Sequence, residues 1–110
     1  MGDQDASKLV GTWRLLSAYV VVQETVTDQA TFDAYRKDVP ATVAAHGGRF
    51  IVRGGTLTVV EGEWPLPRLV IIEFPSRDAA ETWYRSPEYQ KLLPLRLKSS
   101  TGNFVIVDGA

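Results

Sequence analysis

The sequence predicts an α+β fold of the ferredoxin-like type, with the element order β-α-β-β-α-β. Three observations lead to it. Four segments are dense in β-branched residues, two others carry apolar residues at helical spacing, and glycine or proline lies at most of the boundaries. The chain has 110 residues and is 45% hydrophobic, so it can build the core of one domain.

The first strand and first helix have clear limits. Residues 18–26 read Ala-Tyr-Val-Val-Val-Gln-Glu-Thr-Val and predict the strand. Thr27 or Asp28 is a suitable N-cap for the following helix, and Gly47-Gly48 ends it as a left-handed signal. Pro40 lies inside this helix and should kink it. Its predicted inward residues are Phe32, Tyr35, Val39 and Val43.

Two further strands follow in the middle of the chain. Residues 49–53, Arg-Phe-Ile-Val-Arg, alternate as a half-buried strand, and Gly54-Gly55 closes it. Residues 68–74 are nearly continuously apolar, as expected of a central strand. Between them, residues 56–60 either form a hairpin through Gly54-Gly55 or extend as an arm toward another subunit.

The last third predicts a helix in two parts and a final strand. Ser76 caps the first part, and Ser86-Pro87 restarts the helix. The apolar stripe of the second part is predicted from Tyr89, Leu92, Leu93 and Leu97, with Pro94 as a second kink. Lys91, Arg96 and Lys98 are expected to lie in solvent and complement the helix dipole. Residues 103–107 are the final strand.

Helices on one face of this sheet leave the other face open, yet the strands are apolar on both faces. Val20 and Val22 oppose Tyr19 and Val21 on the first strand, and Val70 and Ile72 similarly oppose Leu69 and Ile71. A large open apolar face marks an interaction surface, and a second copy of the same sheet is its simplest cover. The sequence therefore predicts a homodimer with a cleft between two sheets.

Composition excludes several classes of function. The formal net charge of -1 lacks the positive excess that nucleic-acid binding requires. There is no cysteine and one histidine, so thiolate sites and a metal site are not expected. Neither glycine pair, Gly47-Gly48 or Gly54-Gly55, opens a helix after a strand, as a nucleotide-binding loop requires. We therefore expect no nucleotide cofactor, and we expect no cofactor of another kind. Residues 9–22 are too short and interrupted to span a membrane, and the segment before them lacks a signal peptide's charge, which favours a cytoplasmic protein.

Several motifs resemble the domain-of-unknown-function 1330 family over residues 18 to 109. They are Gly-Gly-Arg-Phe-Ile-Val-Arg-Gly-Gly at 47–55, Glu-Gly-Glu-Trp at 61–64, Ile-Glu-Phe-Pro-Ser at 72–76, Trp-Tyr-Arg-Ser-Pro-Glu-Tyr-Gln at 83–90 and Val-Ile-Val-Asp-Gly at 105–109. The resemblance implies a dimeric α/β barrel, in a superfamily that includes cofactor-free monooxygenases, lactone isomerases and haem-modifying enzymes. It implies no established reaction.

Residues 1–17 lie outside that resemblance and are interpreted as an N-terminal extension of a domain spanning 18–110. Residues 9–16, Leu-Val-Gly-Thr-Trp-Arg-Leu-Leu, are similar to the opening strand of lipocalin-like domains. A lipocalin barrel needs about eight strands, which the rest of the chain does not supply. The extension is instead expected to pack Trp13 on the dimer.

A polar cluster is predicted on the face that the dimer would enclose. Alternation places Arg49, Ile51 and Arg53 there, and it adds Glu73 from the third strand and Gln23 from the first. An arginine fork anchors a carboxylate or enolate, and Glu73 acts as a general base if burial raises its pKa. The alternative is that Arg49 and Glu73 only form an internal salt bridge.

The remaining candidates carry a functional and a structural interpretation each. His46 is either a catalytic proton shuttle or haem ligand, or a helix C-terminal residue that interacts with the dipole. Trp64 lies in a loop and closes a pocket or covers the partner. Tyr19, Tyr84 and Tyr89 either donate hydrogen bonds into a ligand pocket or pack in the core.

Three functions stay open on the sequence. The main one is an uncharacterised dimer that binds a small organic acid or aromatic molecule between the sheets. The second is a cofactor-independent monooxygenase-like or isomerase-like enzyme that uses the same pocket. The third is a non-catalytic dimer that recruits another protein.

Overall fold

A computed structural model describes residues 17–110 as a four-stranded antiparallel sheet with three helices. The strand order is β2-β3-β1-β4, which confirms the ferredoxin-like α+β prediction. The predicted extension, with Trp13 and the lipocalin-like segment, lies outside the described residues apart from Ser17. The elements are β1 Ala18–Val26, α1 Gln29–Ala45, β2 Arg49–Arg53, β3 Arg68–Phe74, α2 Arg77–Arg85, α3 Pro87–Ser99 and β4 Ser100–Asp108.

The ends of α1 follow from local chemistry. Asp28 is the N-cap, and its carboxylate accepts a hydrogen bond from the Thr31 backbone N–H at 3.2 Å. At the other end Gly47 has a φ of 78°, and the Gly48 N–H donates to the Val43 carbonyl at 3.0 Å. This is a Schellman ending, in which a left-handed residue satisfies the last helical carbonyls. The helix continues through Pro40.

Serine caps start both later helices. The Ser76 hydroxyl accepts from the Ala79 N–H at 3.0 Å, and the Ser86 hydroxyl accepts from the Tyr89 N–H at 3.2 Å. Pro87 occupies the first position of α3, where a missing N–H costs nothing. Across residues 17–110, none of the helices is long and apolar enough to cross a membrane.

The core lies between the helices and one face of the sheet. Alternate residues of β1 and β3 point into it, and Trp83 of α2 is fully buried at its centre. The Trp83 indole N–H donates to the Thr42 hydroxyl at 2.9 Å, so its one polar atom is satisfied. The other buried residues of the core include Val20, Val22, Phe32, Tyr35, Val39, Val43, Val70, Ile72, Phe74, Ala80 and Tyr89.

Strand β2 contains an irregularity that the sequence pattern does not reveal. Phe50 pairs with Ile72 and Val52 with Ile71, so Ile51 is an extra residue, a β-bulge. The bulge shifts the alternation, and Arg53 pairs with Val70 on the helix side of the sheet. The prediction that Arg53 shares a face with Arg49 is therefore wrong.

Helix α3 is rotated relative to the predicted stripe. Arg96 is buried at 8% exposure, and its Nε donates to the Tyr89 hydroxyl at 3.0 Å. Leu97 is 63% exposed. The predictions that Arg96 lies in solvent and that Leu97 belongs to the apolar stripe are therefore wrong. The inward face of α3 runs from Tyr89 to Arg96, which lies seven residues, or two turns, further along the helix.

Residues 54–67 connect β2 to β3 as an irregular loop, named the arm below. Neither the arm nor residues 56–60 within it belong to a strand of the described sheet. The hairpin, one of the two alternatives for residues 56–60, is therefore not formed in the described sheet. All of residues 54–65 are exposed, including the apolar side chains of Val59, Val60 and Trp64.

Candidate functional site

One sheet face carries none of the helices of residues 17–110; this face, named the open face below, is mostly apolar. Val105 and Val107 of β4 are 53% and 46% exposed there. Val105 pairs with Val21 of β1, and Val107 pairs with Tyr19 of β1. On the opposite edge of β1, Val21 pairs with Ile71 of β3. Since paired residues in an antiparallel sheet share a face, these side chains form one continuous apolar surface.

Three polar residues, the polar triad, lie at one end of the open face. Glu73 of β3 pairs with Tyr19 on one side and with Arg49 on the other. Arg49 Nε donates to Glu73 Oε1 at 2.9 Å, and the Tyr19 hydroxyl donates to Glu73 Oε2 at 3.1 Å. Both carboxylate oxygens of Glu73 are thus occupied by donors from neighbouring strands.

These contacts fix the charge state of the polar triad. The Arg49 hydrogen bond, with help from that of Tyr19, holds the pKa of Glu73 below its usual value. The hydrogen bond to Glu73 likewise raises the pKa of the Tyr19 hydroxyl, which stays protonated. Glu73 is therefore a carboxylate at neutral pH. The condition for a general base with a raised pKa is not met in a single chain.

The arginine of the triad keeps free hydrogen-bonding capacity. The Arg49 side chain is 74% exposed, and Nε makes its contact with Glu73. A guanidinium carries five N–H donors, so its terminal nitrogens remain available to an anion. The geometry can orient a carboxylate or enolate oxygen against Arg49 beside the apolar surface.

Gln23 is not part of this cluster. The antiparallel register pairs Gln23 with Leu69, four positions from the pair formed by Tyr19 and Glu73. At about 3.3 Å per residue the separation is roughly 13 Å. The prediction that Gln23 lies level with Glu73 is therefore wrong, because the register places Tyr19 opposite Glu73.

Two hollows flank the open face. The first, about 250 Å³, lies at the triad end and is lined by Ser17, Gly47, Arg49, Glu73, Phe74 and Pro75. The second, about 330 Å³, lies at the arm end, where Trp64 and Leu69 meet apolar arm residues. Trp64 and Gln23 therefore lie near the same end, because Leu69 contributes to this hollow and pairs with Gln23.

The other candidates lie elsewhere. His46 is the C-cap of α1, and its Nδ1 is 3.1 Å from the Thr42 carbonyl. Arg53 lies on the helix side with its guanidinium 3.9 Å from the centre of the Phe50 ring. Tyr84 packs on the same side against Phe104, at 5.2 Å between ring centres.

Comparison with known proteins places the chain in a family. The model of a domain of unknown function (DUF1330) matches residues 17–110. The chain belongs to the DUF1330 family. The match begins one residue before β1 and covers the whole sheet, all three helices and the polar triad. No curated protein matches the chain.

Solved structures similar to this DUF1330 protein share its fold. A protein of unknown function from Rhodopseudomonas palustris has a TM-score of 0.71 at 14% identity, over 96% of this chain and 95% of its own. SnoaB, a cofactor-independent oxygenase from Streptomyces nogalater, has a TM-score of 0.61 at 15% identity, over 86% and 94%. A dimeric protein of unknown function with a ferredoxin-like fold, from Bacteroides fragilis, has a TM-score of 0.53 at 11% identity, over 84% and 95%. At these identities the likeness shows the fold alone.

Proposed function

We propose that this DUF1330 protein is a homodimer that binds a small organic acid or aromatic molecule between two facing sheets. The observation that carries the proposal is the polar triad, which presents an arginine with free donors at the edge of an apolar surface. Such a surface takes up the apolar body of a ligand, and the guanidinium selects for a negative charge.

The open face supports the dimer. Val105 and Val107 are about half exposed on a sheet whose other face is fully used by the core. A patch that combines them with Tyr19, Val21, Leu69 and Ile71 is of the kind that mediates association. A structurally similar protein, from Bacteroides fragilis, is itself described as dimeric.

The arm supports the enclosure of a ligand. Its exposed side chains Leu57, Val59 and Trp64 line the second hollow together with Leu69 of the open face. A second sheet on the open face would reduce the exposure of these side chains and convert an open hollow into a closed one. Trp64 then covers either the ligand or the partner.

Oxygenation or isomerisation is the second candidate function. SnoaB, which shares the fold, is a cofactor-independent oxygenase. In this chain the ionised Glu73 beside the Tyr19 hydroxyl is the pair that would receive and return a proton from an enolisable substrate. Burial by a partner subunit would oppose the charge on Glu73 and raise its pKa toward the range of a general base.

Benzoate is a suitable probe of binding, and calorimetry of the wild-type protein should give saturable uptake. Arg49→Gln removes the guanidinium and should weaken benzoate about tenfold, since hydrogen bonds to charged groups contribute about 1.5–3 kcal/mol. Arg85→Gln is the matched control, because Arg85 is exposed at the end of α2 on the helix side. It should leave the affinity unchanged.

The outcomes separate the candidates. Equal benzoate affinity in the wild type and the Arg49→Gln variant, or no saturable uptake, contradicts the proposed site. Glu73→Gln distinguishes binding from catalysis: a purely binding protein keeps its affinity and shows no turnover of hydroxylated aromatic acids in either form. Turnover that is lost in Glu73→Gln at unchanged affinity supports the enzyme instead. A stable homodimer that ignores candidate partner proteins counts against the protein-recruiting alternative.

A further inference from the structure

A separate cavity lies on the other side of the sheet, between β1, β2 and β3 and the helices. Its volume is about 40 Å³, and its walls are mostly buried apolar side chains, among them Phe32, Val39 and Val70. A cavity of this size holds two or three water-sized groups. It does not reach the open face, because the sheet itself separates the two.

Exposed arginines mark the mouth of this cavity. Arg36 of α1 and Arg53 of β2 both line it, and both are exposed. Within residues 17–110, neither has a carboxylate within 4.0 Å. Two guanidinium groups that line one cavity repel each other, and an anion bound between them removes that repulsion.

The acidic residue of the cavity does not neutralise its mouth. Glu24 is 3% exposed, and its carboxylate accepts a hydrogen bond from Arg68 Nε at 2.9 Å. Arg68, whose side chain is 22% exposed, and the buried Glu24 therefore form an ion pair of their own. Arg36 and Arg53 are left without a carboxylate partner in the described part of the chain.

The β-bulge at Ile51 is a second, independent observation. Regular alternation would turn Arg53 toward the open face, and the bulge turns it to the cavity side instead. Its guanidinium is then held 3.9 Å from the centre of the Phe50 ring, and Phe50 also lines the cavity. Bulges commonly re-aim a side chain next to a binding site.

We propose that this cavity is a second ligand site, for a short-chain aliphatic monocarboxylate. The carboxylate lies at the mouth between Arg36 and Arg53, where two guanidiniums offer paired N–H donors. A tail of two or three carbon atoms fills the apolar cavity, whose volume excludes an aromatic ring. The site is distinct from the polar triad, and it stands or falls independently of the proposed function.

Butyrate is the probe, and n-propylammonium, with the same three-carbon tail and the opposite charge, is its control. Titration of the full chain, followed by the NMR signals of the valine methyl groups, should shift Val39 and Val70 and leave Val105 and Val107 in place. Arg53→Gln and Arg36→Gln should each weaken butyrate about tenfold. Arg85→Gln should not change it.

Four outcomes overturn the proposal. They are absence of saturation by butyrate, equal binding of n-propylammonium, unchanged affinity in both arginine variants, and shifts confined to Val105 and Val107. The last result would place the carboxylate at the open face, so it would support the polar triad while removing the second site. Failure of benzoate to bind, in contrast, would leave the butyrate result intact.

Discussion

Glu73 links the charge of the open face to the pH of the solution. Arg49 and Tyr19 donate to its two oxygens, and its pKa is lowered from the usual 4.5 mainly by the Arg49 hydrogen bond. A carboxylate whose pKa is lower in the folded state stabilises the protein at pH values above its pKa in the unfolded state. This stabilisation is lost as the pH falls through the folded-state pKa. The contribution is therefore complete at pH 7 and absent in strong acid.

Glu73→Gln should accordingly lower the free energy of unfolding at pH 7, and the difference from wild type should shrink below about pH 4. Urea unfolding at several pH values and one protein concentration measures it. Glu81→Gln is the control, since Glu81 only approaches Arg77 at 3.8 Å on an exposed helix surface. A difference for Glu73→Gln that persists or grows in acid would refute the assigned charge state.

Single residues differ in how far the sequence could predict them. The pairing of Arg49 with Glu73 followed from alternation and strand order alone. Counting the antiparallel register would have placed Tyr19, instead of Gln23, opposite Glu73. The seven-residue spacing from Tyr89 would have placed Arg96 on the inward face of its helix. Arg53 had no such signal, because residues 49–53 alternate regularly and the bulge arises from pairing with β3.

At the scale of elements, the turn after α1 positions both β2 and the polar triad. Gly48 has no room for a side chain, since an added Cβ would lie 2.6 Å from the ring of the fully buried Phe74. Gly47 supplies the left-handed conformation one residue earlier. The two glycines therefore serve different needs, one of space and one of backbone geometry.

Gly48→Ala should lower the free energy of unfolding by about 1–3 kcal/mol, the usual cost of overpacking a filled core. Gly55→Ala is the matched control, because an added Cβ there meets nothing within 4 Å. It should be neutral or slightly stabilising. Urea unfolding of both variants measures the contrast, and equal effects would mean that the packing of Phe74 against this turn is not as described.

Most elements were predictable because their ends carry local signals. Asp28, Ser76 and Ser86 cap the three helices as their side-chain chemistry indicates, and the glycine pair ends the first one. The sequence left open whether residues 56–60 form a hairpin or extend as an arm, since their β-branched residues satisfy a strand pattern whether or not a strand is there to pair with them. Tertiary context, rather than propensity, decides such a segment.

At the scale of the whole molecule, the sequence predicts the strand order and the presence of helices on one face of the sheet. It does not identify what covers the open face. The order β2-β3-β1-β4 is the one that the βαββαβ pattern implies. The pattern also reveals that both faces are apolar, but residues 17–110 of one chain contain only one layer of helices. A second copy of the sheet completes the structure in our account, and the ligand cavity depends on it.

Sedimentation velocity of the wild type and two matched variants tests most directly whether a second copy of the chain covers the open face. Val105→Glu charges the open face, and Leu97→Glu charges an exposed apolar residue on the helix side, 63% exposed against 53% for Val105. We expect the wild type and Leu97→Glu to sediment as dimers of the 12.2 kDa chain, and Val105→Glu to sediment as a folded monomer. A monomeric wild type, or a Val105→Glu variant that remains as dimeric as the wild type, would contradict the account.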